Sequence, residues 1–194
     1  MTAKQSARRP TALGDELRVL ARLHPRETWA SHAKLGGIAR FWLERHDMFR
    51  RLDEIIRSGT ETALSERTEA AHFKPWLLQH LRWQLGGLEE HHQVEDLHYF
   101  PVFRRAEPRL APGFELLEHD HAALHTAIGG IIERANAVLV AENPDSASFR
   151  ADLARFHDAH VELGGELLRH LDDEEDLVIP LLLERGEHAF TGGA

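Results

Sequence analysis

Apolar residues recur along most of this chain at alternating intervals of three and four, the spacing that lines one face of a helix. One run gives Leu35, Ile38, Trp42, His46, Phe49, Leu52 and Ile56. A second gives Leu77, His80 or Leu81, Gln84, Leu88, His91, Glu95, His98 and Val102. The third runs Phe114, Leu117, His121, Leu124, Ile128, Ile131, Ala135 and Val138, and the fourth from Phe149 through Phe156, His160, Leu163, Leu167, His170 and Glu174 to Leu181. Turn signals separate them: Ser58-Gly59-Thr60, Pro108, and Asn143-Pro144. Helices are expected over about 27–57, up to 106 with Pro75 in the first turn, 112–143, and from a Ser146 or Ser148 N-cap to Arg185-Gly186. Strand-like alternation is sparse. The expectation is an all-α protein, an antiparallel up-down-up-down four-helix bundle over 26–186, with a polar N-terminal arm at 1–25 holding a short helix near 15–23, and a tail at 187–194.

Each stripe is interrupted by histidine, and the 194 residues hold 15 of them. An unsatisfied buried polar group costs about 1–3 kcal/mol, so something must satisfy this interior. Cys is absent, which excludes disulfides, thiolate zinc sites and iron–sulfur clusters. The net charge of −9 argues against nucleic-acid binding, and neither a membrane span nor a signal peptide is visible, so a cytoplasmic protein is expected.

Two segments match at a shift of 79 residues. His91-His92-Gln93-Val94-Glu95-Asp96 and His170-Leu171-Asp172-Asp173-Glu174-Glu175 both read H-x-x-x-E-[DE], with a proline (Pro101, Pro180) six after the Glu. Spacing i, i+4 puts imidazole and carboxylate on one helix face, within reach of one metal. His46 and His121 join from the other two stripes, and His125 follows His121 by one turn. His119 would be rotated roughly 200° off the Leu117/Leu124 stripe. Four or five imidazoles with two carboxylates exceed one tetrahedral zinc and suit two bridged ions of iron, manganese or zinc. His24, His32, His72, His92, His157 and His188 are assigned to surface or loops, as is the acidic run 172–176 apart from Glu174. His98 falls on the Glu95 face as an outer partner. His80 and His160 are expected inside, with Trp42, Trp76 and Trp83 as core. Gly-Gly pairs at 86–87, 129–130 and 164–165 suggest close backbone packing or a small-ligand tunnel.

At these residues the chain resembles the hemerythrin family, in its bacterial HHE cation-binding branch, over about residues 30–185. The resemblance implies a non-haem di-iron centre, oxo- or hydroxo-bridged, with zinc or manganese as possible substitutes. It implies His46, His91, Glu95, His121, His125, His170 and Glu174 as metal ligands, with Glu175 as the alternative to Glu174. It further implies a small diatomic ligand, O2 or NO, bound for sensing, storage or detoxification. The paired Cys of the family's iron-centre repair members are missing. A di-iron oxidase or peroxidase, or a non-catalytic iron- or zinc-handling protein, is the alternative, and a binding protein is preferred to an enzyme.

Overall fold

The computed structural model describes residues 11–66, 70–143 and 146–191. Among these every regular element is helical. Two short helices, α1 (Val19–Leu23) and α2 (Arg26–Trp29), precede α3 (Gly37–Ser65). Helix α4 (Ala70–Val94) runs through a π turn (Glu95–Tyr99) into α5 (Phe100–Ala106). A 3-10 turn (Pro108–Leu110) leads to α6 (Ala111–Val140), followed by α7 (Ala147–Arg185) and α8 (His188–Thr191). Helix α3 packs on α4 and α7, and α6 packs on α4 and α7, so the long helices form a bundle. No described helix is long and apolar enough to cross a membrane.

Several boundaries follow local chemistry. Ser146 accepts the Phe149 N–H at 3.1 Å and starts α7 as expected. The first predicted helix is instead broken: α2 ends at Trp29 and α3 begins at Gly37, where Glu187 Oε1 accepts the Ala39 N–H at 2.8 Å. Nor does Ser58-Gly59-Thr60 stop α3, which continues to Ser65. The glycine serves packing there, since a Cβ on Gly59 would stand 2.1 Å from the Trp76 ring.

The π turn precedes Pro101. Proline lacks the N–H that would close an α-turn onto Leu97, but Pro180 at the matching position lies inside an unbroken α7, so the proline alone does not dictate the π turn.

The apolar core lies in two parts. One gathers Trp42, Phe100, Phe103, Phe114 and Leu177–Leu183 with Leu13, Leu17, Leu20 and Trp29 of the N-terminal segment. The other gathers Phe49, Ile56, Leu77, Leu88, Phe156 and Leu167. Between them lies a polar layer. The N-terminal segment from Thr11 is thus packed onto the bundle, and α8 also joins it, with Phe190 edge-on to Phe103 at 5.1 Å. Residues 1–10 of the expected arm lie outside the described residues.

Candidate metal centre

The polar layer is assembled where α3, α4, α6 and α7 meet. Its donors form two groups, His46/His91/Glu95/Glu174 and His92/His121/His170, with one ligand atom per residue lying within 4.8 Å of the others in each group. The two glutamates face both groups. Glu95 Oε1 stands 3.0 Å from His91 Nε2, and its Oε2 is 3.6 Å from His121 Nε2. Glu174 Oε1 is 3.4 Å from His46 Nε2, while Oε2 is 3.2 Å from His170 Nε2. His46 Nε2 and His91 Nε2 approach to 3.1 Å. Donors bonded to one ion at about 2.1 Å and at right angles stand about 3 Å apart, so these separations match a shared cation.

The fit rests on atoms without partners. His92 Nε2, His121 Nε2, His170 Nε2, both oxygens of Glu95 and Oε2 of Glu174 are buried with no hydrogen bond among the described residues. A cation coordinated by these atoms would satisfy them together. Nitrogen and oxygen donors without thiolate suit iron, manganese or zinc.

Outer partners fix the rings. His121 Nδ1 meets Asp96 Oδ1 at 2.8 Å, and His46 Nδ1 meets Glu175 Oε1 at 3.0 Å. His170 Nδ1 is 3.7 Å from Asp120. With Nδ1 engaged, His46 and His121 present Nε2 to the centre. The Trp42 indole N–H donates to Glu174 Oε1. Trp42 and Phe49 wall the His91 side, with ring centroids 6.3 and 5.2 Å from the imidazole.

Charge is unevenly held. Burial opposes the charged form of His46, but Glu174 and Glu175 override it and raise its pKa to about 9. Burial lowers His91 to about 3 and pushes His92 down as well. Burial and the neighbouring Glu174 raise Glu95 well above the carboxylate range. Against burial, His46 and His170 hold Glu174 well below it. A bound cation replaces this internal compromise by compensating both carboxylates at once.

The structure brings His46, His91, Glu95, His121, His170 and Glu174 together. His125 lies outside both groups: its side chain is 33% exposed, and it meets Glu89 at 2.9 Å through Nδ1 and His92 Nδ1 at 3.4 Å through Nε2. His92, assigned to the surface from sequence, is fully buried in the centre and stacks on His121 at 4.0 Å. Its signal was the doubled His91-His92. His119 is exposed and His121 buried, and Glu175 serves His46 from outside. The acidic run is not a solvated face, because Asp173, Glu175 and Asp176 are buried under the N-terminal segment. His98 is exposed, and Asp96 takes the outer role expected of it.

Further along α7, roughly 15 Å from His170, His160 is buried with Nε2 3.0 Å from Gln84 Oε1 and Nδ1 3.9 Å from Asp53 Oδ1. A Cβ on Gly164 would lie 2.3 Å from that Asp53 oxygen, so close packing explains this glycine. Gly86 and Gly129 face open space at the surface rather than a tunnel. His80 is only half-buried, bonded to the Trp76 carbonyl at 2.7 Å, and Trp83 is 54% exposed rather than core.

No curated protein and no solved structure matched the chain in comparison. Residues 37–182 match the model of the hemerythrin HHE cation binding domain, three-quarters of the sequence and all of the donors above. The chain belongs to the hemerythrin HHE cation-binding family.

Proposed function

We propose that the protein holds a dinuclear non-haem iron centre and binds O2 or NO there, for sensing, storage or detoxification. His46 and His91 hold one ion and His92, His121 and His170 the other. Glu95 and Glu174 bridge them. The observation that carries this reading is the pair of buried glutamates that each turn one oxygen to each histidine group. His125 is then an outer partner that engages His92 Nδ1, in place of the ligand role the family resemblance implied. We also carry over the up-down-up-down order, which the packing of α3 on both α4 and α7 supports.

Iron in this donor set supplies a redox-active position open to a small ligand. The ligand count favours the two-histidine side: three nitrogens and two oxygens crowd one ion, whereas the other receives two of each. Trp42 and Phe49, both buried, cover that side with apolar surface and keep bulk water away. The Trp42 indole N–H holds Glu174 in its bridging orientation.

Elemental analysis of untagged protein tests the reading. Two irons per chain, with spectral changes on adding O2 or NO to the reduced protein, is the expected result. Near-stoichiometric zinc after anaerobic iron loading would favour metal handling instead, and no retained metal would remove the centre.

A further inference from the structure

The two carboxylates that hold the opposing histidines from outside are alike in role and different in surroundings. Asp96, which meets His121, has a side chain 37% exposed, and no guanidinium bonds it among the described residues. Glu175, which meets His46, is 2% exposed and gripped by two arginines. Arg50 donates to its Oε1 at 2.7 Å and to Asp172 Oδ1 at 2.9 Å. Arg26 donates to its Oε2, to Asp176 Oδ1 at 2.8 Å through Nε, and to the Asp172 carbonyl at 2.6 Å.

Arg26 does not come from the bundle. It opens α2, in the segment that precedes the family's matched span of 37–182. Leu13, Leu17, Leu20 and Trp29 seat this segment in the core, and its start is tied down by Thr11 and Ala12 donating to Asp173. The Trp29 ring lies 4.8 Å beneath the Arg26 guanidinium. The guanidinium donates from fixed directions to Glu175, Asp176 and the Asp172 carbonyl at once, which a single-point ammonium does not. A locked Glu175 in turn holds the His46 Nδ1–H and aims Nε2 at the centre. The chain of contacts from Arg26 ends at His46, whereas the start of the segment leads toward His170 by a separate route, from Asp173 through Arg169 to Asp120.

We propose that the N-terminal segment is a strap in which Arg26, acting through Glu175, positions His46 and so sets the affinity of the His46/His91 group for its divalent cation, leaving the His92/His121/His170 group unaffected. The inference rests on the dinuclear reading above. The test uses the full-length chain, stripped of metal and titrated with cobalt(II) against a chromophoric chelator, with circular dichroism to monitor folding. The parent is expected to bind two equivalents. Arg26→Gln should weaken one of them about tenfold, the low end for loss of an outer partner, and leave the other at its parental affinity. Arg26→Lys should fall between, and the exposed Arg22→Gln should change nothing. In a His46→Ala background, Arg26→Gln should have no further effect on the remaining equivalent. A parent that binds fewer than two equivalents brings down the dinuclear reading and the proposal with it. A parent that binds two, with Arg26→Gln either leaving both unchanged or weakening both alike, overturns the strap alone. If Arg26→Gln fails to fold, Arg26→Lys and its cycle with His46→Ala carry the same outcomes.

Discussion

The segments 91–101 and 170–180 share one motif and both supply donors to the same centre. In both, the i, i+4 pair survives into the fold, at 3.0 Å for His91–Glu95 and 3.2 Å for His170–Glu174. In both, the next acid reaches across to a histidine on another helix, Asp96 to His121 and Glu175 to His46. They differ at the residue after the first histidine, which is His92 in one and Leu171 in the other. Both side chains are buried. The leucine joins the apolar core, whereas the histidine joins His121 and His170. A near-symmetric repeat thereby produces an unequal pair of groups, three imidazoles against two. A single position sets the inequality.

Breaking what the repeats share should have the largest effect. Glu174→Ala or Glu95→Ala removes a carboxylate common to both groups, so elemental analysis should find both equivalents largely lost. A variant that keeps two ions would show that the glutamates do not bridge. Erasing the difference comes next: His92→Leu makes the repeats alike while keeping an apolar fill, and should cost one equivalent. Leu171 cannot explain a loss there, and equal retention would return His92 to a packing role. The outer acids follow, with Glu175→Gln expected to weaken cobalt(II) binding by about 10–100-fold and the more exposed Asp96→Asn by less.

A separate effect, on stability rather than on metal binding, concerns His160, one step beyond the repeats. Burial holds His160 to about 4, below the 6.5 of an unfolded histidine, so the unfolded chain binds the extra proton between those values. Stability of the metal-free protein should therefore fall as pH drops from 6.5 to 4, by at most about 3 kcal/mol from this group. His160→Gln should flatten denaturation midpoints across that window.

Much of this was legible in the sequence. The stripes name the helices and supply His46 and His121, and the repeat supplies His91, Glu95, His170 and Glu174. His92 was not legible, because single-face periodicity admits His91 and rejects a neighbour 100° away. Helix α4 packs on both α3 and α6, so its inner face is wide enough for His91 to meet His46 and His92 to meet His121. His98 was misplaced because the π turn changes the helical phase after Glu95. The acidic run looked solvated because its cover comes from Arg26 and Thr11, about 150 residues away in the chain. No local pattern announces such a partner.

Every residue of α7 from Asp173 to Leu183 is buried. A helix enclosed on all sides opens only when its neighbours do, so its amides should exchange with solvent near the limit of global unfolding. The opposite half of the centre has no such enclosure: Val94 is exposed, Leu97 is 70% exposed, and the turn between them and Phe100 is already wound loosely. In kinetic terms the centre has a fixed wall and a yielding one. Ions held between them would enter and leave by local opening around residues 94–99, while His170 and Glu174 stay in place.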